Sequence, residues 1–287
     1  VGERTFLSWM APRGIVAAAV SSLFALELTE HSGGELDAAT LAAAEQLVPI
    51  TFVVIVGTVT IYGLTASPLA RWLKLADPNP QGVLFAGADP VVREIAKAVQ
   101  TEGFLVLVVD TNRWRISSAL LSGLPTCSSS ILSKYVREEV DLGGIGRLLA
   151  MTPNDEVNAL AALELESRFS RSQLYQLPPA KSEKAGSDEV STHLRARPLF
   201  DERCTYAWLT RRFAEGAILK RTPLTEEFTL DNYRRMYGDD GLILFVLRKS
   251  GKLDVVTADV SVTAGAGDTL ISLVQKKAEP ENSKAPA

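Results

Sequence analysis

Few residues in this chain have both the type and the spacing to do chemistry, and most stand where an apolar run ends. The run GVLFAG (82–87) reads as a short buried strand that breaks at Gly87, with Asp89 just beyond it. A second run, FLVLVVD, closes on Asp110, and a third, GRLLAMT, closes on Thr152 and opens the sequence T-P-N-D, which contains Asn154. Strand ends of this kind meet at one edge of a parallel sheet, and open α/β sheets hold their ligands in the crevice there. The chemistry on offer is therefore recognition of a nucleotide. Bond-making is not expected: no His, Lys or Tyr constellation is in place for hydride transfer, so an enzyme is not the expected reading.

The first turn departs from the dinucleotide pattern. A G-x-G-x-x-G fingerprint needs its second glycine so that pyrophosphate can approach the helix N-terminus. In register this chain has Gly87, Asp89 and Val92, so only the first glycine is present. Asp89 followed by Pro90 is instead a helix N-cap with proline at the first helical position. Its carboxylate is expected to take the free N–H groups that would otherwise hold a phosphate, leaving the pocket self-filled. Asp110 lies about 20 residues further on, the usual place for a carboxylate that hydrogen-bonds ribose hydroxyls. Thr152 and Asn154 would stand near a base. Two readings stay open: an AMP-like adenine nucleotide held by Gly87, Asp110, Thr152 and Asn154, or a degenerate domain that binds nothing and acts by docking.

The elements that position these residues alternate between strands and helices. After the first strand, Val91, Ile95 and Val99 repeat at helical spacing. Phe104–Asp110 is continuously apolar, as a strand covered on both faces must be. Weaker strands are expected near 125–128 and 172–177, with helices over 117–121, 131–142 and 155–169. Repeated βα units of this sort build a doubly wound, Rossmann-like domain over 82–177. Residues 178–198 are polar and aperiodic, so they read as a linker. A small α+β module follows over 199–278, with a helix at 204–215 and strands in ILKRT, LILFVLRK and TLISLVQK, the last after G-A-G-D. The tail 279–287 is expected to be disordered. His31 and His193 are isolated in polar stretches. A formal charge of −4 and a pI near 5.4 give no basic field for nucleic acid. Cys127 and Cys204 form no metal or disulfide pattern and read as free thiols.

The first 75 residues are different in kind. From Leu47 to Ala70 there is no charged side chain. As a helix this stretch would be roughly 36 Å long, enough to cross a hydrocarbon core of about 30 Å. A second apolar stretch, Trp9 to Leu28, precedes it and has a small-residue face suited to close packing in a bundle. Arg4 and Arg13 lie at the start of this hairpin and Arg71 and Lys74 after it, while the connection is acidic. By the positive-inside rule both ends are cytoplasmic. Arg13 could sit at depth, facing an acidic partner, or snorkel to headgroups.

WMAPRGIVAAAVSSLFALEL followed by FVVIVGTVTIYGLTASPLARWL resembles the last two transmembrane helices of bacterial monovalent cation/proton antiporters of the NhaP or sodium/hydrogen-exchanger type. That resemblance implies a structural ion-pair role for Arg13 and places the transport carboxylate outside this chain. It also implies an inner-membrane, multi-pass protein moving sodium or potassium against protons. VLFAGADPVVREIAKAV and LLAMTPNDEVNALAALELE resemble the TrkA-N or RCK regulatory domains of potassium transport systems, which implies a cytoplasmic, dimerising regulatory domain and hence a homodimer. A second expectation is a membrane-tethered regulatory subunit of a separate cation channel or transporter.

Overall fold

The computed structural model describes residues 2–10, 15–30, 38–73, 80–180 and 196–275. They form two compact units, 1–78 and 79–287. Arg13, Lys74, His31, His193, most of the expected linker and the tail lie outside the described residues.

In the first unit, α1 (Gly2–Trp9) is followed by α2 (Ile15–Glu30) and α3 (Ala38–Trp72). The sequence predicts one continuous helix over Trp9–Leu28, whereas α1 ends at Trp9, ahead of Pro12, whose ring disfavours helix in the residue before it. The 16 residues of α2 span about 24 Å, less than a hydrocarbon core. The 35 residues of α3 span about 52 Å and begin well before the predicted start. Within α3, Gln46–Ala70 is a 25-residue stretch of mean hydropathy 2.2 with none of its most apolar window buried. Among the described residues it is the one helix long and apolar enough to cross a membrane. Its threonine hydroxyls are satisfied locally. Thr51, Thr60 and Thr65 donate to carbonyls one turn back, at 2.7, 2.7 and 2.6 Å, so these hydroxyls are not left bare in an apolar medium. α2 packs along α3. The end of α1 is fastened to α3 by Trp9, whose ring meets Tyr62 edge-on at 6.0 Å and whose Nε1 donates to Thr65 Oγ1 at 3.2 Å.

The second unit opens with β1 (Gly82–Ala86), α4 (Pro90–Thr101), β2 (Val106–Asp110), α5 (Arg113–Leu121) and β3 (Thr126–Ser128). It continues through α6 (Lys134–Glu138), β4 (Ile145–Ala150), α7 (Asp155–Glu164) and β5 (Leu174–Gln176). The six-stranded sheet has the order β3-β2-β1-β4-β5-β6, with every pair parallel. This is the doubly wound order, and its switch point lies between β1 and β4. Alternate residues of β1 feed two cores. Val83 and Phe85 join Val91, Ile95 and Val108 beneath α4 and α5, while Leu84 and Ala86 join Leu148, Ala161 and Leu165 beneath α6 and α7. The sixth strand, β6 (Arg197–Pro198), falls inside the segment expected to be a linker. It pairs with β5 through Gln176↔Pro198, and a two-residue strand with a proline carries no apolar alternation by which to recognise it.

The remainder is an antiparallel sheet of β7 (Ala217–Pro223), β8 (Gly241–Leu247), β9 (Leu253–Val255) and β10 (Thr269–Gln275), in the order β7-β10-β8-β9. Helices α8 (Tyr206–Ala214) and α9 (Leu230–Tyr237) complete it. This module is not a separate body. Leu199, Phe200, Leu209, Leu244, Phe245 and Ile271 belong to the same core as β1 and α4. Arg147 on β4, only 3% exposed, donates to Leu253 O at 2.5 Å and to Gln81 Oε1 at 2.8 Å, and that same oxygen accepts the Leu253 N–H at 3.1 Å. The aspartate of G-A-G-D has a structural task. Asp268 accepts from the N–H groups of Gly265 and Lys249 and from Arg248 Nη1, all at 3.0 Å.

Candidate functional site

The crevice at the carboxyl ends of β1, β2 and β4 brings the predicted residues Gly87, Asp89 and Asp110 to one place, with Thr152 at its β4 wall. Gly87 is there for a backbone reason. Its φ is +106°, and a Cβ added to it would lie 3.0 Å from Met151 O across the switch point. Only glycine enters that conformation without strain. Its N–H donates to Val109 O at 2.8 Å, while Met151 N–H donates to Ala86 O at 2.9 Å, so the loop is stitched to both neighbouring strands.

Asp89 occupies the N-cap position of α4 with extended backbone, and Pro90 follows as predicted, but its side chain makes no capping hydrogen bond. This corrects the expectation that the Asp89 carboxylate takes the free N–H groups at the start of α4. The carboxylate turns to Arg115, with Oδ1 at 3.0 Å from Nη2. A guanidinium offers a charge-assisted bond, stronger than one from a neutral backbone N–H. Arg115 is delivered to that point by α5, whose first turn is capped by Asn112 accepting from Trp114 and Arg115 N–H at 3.0 and 3.3 Å. The loop N–H is taken by the other carboxylate. Asp110 Oδ2 accepts from Ala88 N–H at 2.8 Å, and Oδ1 accepts from Asn112 N–H at 2.8 Å. Arg115 Nη1 lies 3.8 Å from Asp110 Oδ2, so one guanidinium bridges both acids. Asp89 is 5% exposed, and its Oδ2 is buried without a hydrogen-bond partner among the described residues. Tyr206, the first residue of α8, stands beside this carboxylate. Burial first, and then the Asp89 carboxylate, push its phenol up to about 12.

Thr152 and Asn154 are consumed by the turn that starts α7. Asn154 is the N-cap, accepting from Glu156 and Val157 N–H at 2.9 and 3.0 Å. Thr152 is clamped by Asn158, which is fully buried. Asn158 Oδ1 accepts from Thr152 N–H at 2.9 Å and from Oγ1 at 2.7 Å, and Nδ2 donates to Thr152 O at 2.9 Å. Sequence reasoning does not single out Asn158, Arg115, Arg147 or Tyr206. The one available signal is for Asn158, a polar residue one helical turn after the cap and between apolar positions.

The residues present do not fit a pyrophosphate. A phosphate at the start of α4 would meet two carboxylates, and the Ala88 N–H that would bind it already serves Asp110. Among the described residues no cluster of three His, Cys, Asp or Glu forms a metal site. Cys204 is fully buried, and that burial pushes its thiol far up from the ordinary value.

No family model and no curated protein matches this sequence. Similar solved structures include the NAD(P)-binding domain of an exopolyphosphatase-related protein from Archaeoglobus fulgidus, at 19% identity and TM-score 0.34, covering 41% of this chain and 85% of that one. The GsuK channel bound to NAD is similar at 15% identity and TM-score 0.35, covering 96% of this chain and 58% of that one. The GsuK RCK domain is similar at 14% identity and TM-score 0.35, covering 70% of this chain and 46% of that one. This chain thus spans little more than half of the channel it resembles. Identities below 20% and scores near 0.35 assign neither family nor function, and the doubly wound fold rests on the strand order and hydrogen bonding given above.

Proposed function

We propose that this chain is the membrane end and cytoplasmic regulatory domain of a monovalent cation/proton antiporter of the inner membrane, with the transport carboxylate on another part of the protein. The carrying observation is a membrane-length apolar helix, Gln46–Ala70, followed in the same chain by a doubly wound unit. The PRG and T-V-x-x-x-G-L-T-x-x-P-L-A resemblances supply the transporter class. In this reading the soluble unit catalyses nothing. It biases the transporter through protein contacts, because its crevice is occupied by Asp110 and Arg115. Everted vesicles carrying the complete reading frame test this: sodium or potassium should dissipate a preformed proton gradient, and deleting residues 79–287 should change the cation concentration at half effect. Failure of both cations to move protons would sink the reading.

A second reading is a tethered regulatory subunit of a separate cation channel or transporter. It is favoured by the observation that just one described helix reaches span length. Co-purification of the intact protein with a separate multi-span protein would select it. An adenine nucleotide such as AMP would enter the crevice against the Asp110–Ala88 bond. Calorimetry with AMP, ATP and NADH on wild type and Asp110→Ala measures this, and heats unchanged by the substitution would remove Asp110 from any such site.

A further inference from the structure

A second opening lies away from the crevice, in the antiparallel part of the molecule. Two lobes of about 460 and 410 Å³ meet at Phe200, Asp201, Arg203, Val256 and Val262, each in the size range of small-molecule sites. The backbone at their junction is strained. Phe200 has φ +67°, where a bulky side chain is an outlier, and the Asp201 N–H donates across it to Leu199 O at 3.0 Å. A bond spanning a single residue of positive φ is the rare, strained form of the γ-turn. The surroundings hold it in place: Phe200 is 3% exposed, its N–H donates to Val256 O at 2.9 Å, and its ring meets Phe245 edge-on at 5.8 Å. Strain kept in this way gathers at ligand clamps.

The walls carry both signs of charge beside apolar side chains. Val256 and Ile243 are buried, and Val262 is partly buried. Asp201 and Arg203 border both lobes, while Glu202 adds a second acid to one and Arg234 a second base to the other. Asp201 Oδ1 accepts from the Arg203 N–H at 2.8 Å and from its Nε at 3.0 Å. Desolvation disfavours the charged carboxylate, but the bonds from Arg203 outweigh it and hold the carboxyl below its ordinary value. Arg234 is oriented by donating to Val262 O at 3.1 Å. The two guanidinia are 58% and 53% exposed, so both present N–H groups to solvent. A simple anion in this groove would meet Asp201, and a simple cation would meet Arg203. A molecule with an ammonium and a carboxylate on one carbon, and an apolar tail, complements all of these groups together.

We propose that this groove binds a free apolar amino acid, with its ammonium at Asp201 and Glu202, its carboxylate at Arg203 and Arg234, and its side chain on Val256, Val262 and Ile243. No ion flux enters the readout, so the proposal and the transport reading stand or fall separately. The test is calorimetry on the full chain in detergent micelles, with leucine as the probe. Leucine should bind. Isocaproate, which lacks the ammonium, isopentylamine, which lacks the carboxylate, and glycine, which lacks the tail, should each bind at least about 10-fold more weakly. Asp201→Asn should weaken leucine by about the same factor and leave isocaproate unchanged, a split that general damage to the fold does not produce. Arg234→Gln should weaken leucine and isocaproate and leave isopentylamine unchanged. The probe series on the unsubstituted chain decides the matter even where a variant fails to fold. No heat from leucine or phenylalanine at roughly 10 mM overturns the proposal. Equal affinity for leucine and isocaproate, or for leucine and glycine, overturns it as well.

Discussion

Replacing Arg147 by methionine keeps much of the length and the apolar stem of a buried side chain while deleting its charge. Two hydrogen bonds from the guanidinium go, to Leu253 O at 2.5 Å and to Gln81 Oε1 at 2.8 Å. Bonds to a charged group contribute about 1.5–3 kcal/mol each, so the gross loss is about 3–6 kcal/mol. Against this, methionine has no buried charge to desolvate, and desolvation is the largest influence on Arg147, lowering its pKa. That relief is several kcal/mol. Gln81 Oε1 keeps the Leu253 N–H, but Leu253 O loses its guanidinium donor in a buried place, which holds the net loss near ~2 kcal/mol. The loss is local to β9, 106 residues from Arg147 in sequence. Hydrogen–deuterium exchange of the full chain should show amides of β9 and the paired half of β8 exchanging about 30-fold faster, with β1 and β2 nearly unchanged. Uniform acceleration across the unit, or none in β9, would refute the view that Arg147 pins the antiparallel sheet to the parallel one.

Gly87→Ala should destabilise the unit by ~1–3 kcal/mol in guanidinium unfolding of the full chain, because φ is +106° and a Cβ would press on Met151 O at 3.0 Å. Asn158→Leu should lower thermal stability by about 2–3 kcal/mol, since it strips partners from the N–H and C=O of Thr152 in a fully buried position. Desolvation works against the charged form of Asp268, but the N–H bonds from Gly265 and Lys249 and then Arg248 outweigh it and hold the carboxyl below its ordinary value. The folded pKa is thus below the unfolded one. The stabilisation is complete above the unfolded value of about 3.9 and is lost as pH falls through the lower folded value. Acid titration followed by tryptophan fluorescence should show this loss in wild type and a flatter profile in Asp268→Asn.

How much can be read in advance varies with the kind of signal. Strands β1 and β2 announce themselves as continuous apolar runs because both faces of each are covered, β4 and β10 as apolar runs broken once, by Arg147 and by Ser272, and the start of α4 follows from Asp89-Pro90. The cap at Asn154 is legible for the same reason, as a local pairing of side chain and N–H. Arg115 and Arg147 are not, because what defines them is the partner brought across the sheet, and no spacing in the chain encodes that. The Asp89 expectation fails in an instructive way. Local capping chemistry favours the carboxylate on its own helix, and only the fold reveals a guanidinium within reach. β6 is invisible for a third reason: a strand of Arg197 and Pro198 is defined by its neighbour, Gln176, and by nothing in itself.

The core that joins the parallel and antiparallel sheets has a consequence for what happens when the backbone is cut. Residues 80–180 supply five strands of the first sheet, and residues 196–275 supply the sixth together with the whole second sheet. A single nick between 180 and 196 should therefore free neither piece. The fragments should migrate as one species in native conditions and part only in denaturant, held by Leu199, Phe200 and Phe245 on one side of the cut and Phe85, Tyr175 and Leu177 on the other. Proteolysis at that point would leave the clasped halves in place as a noncovalent pair.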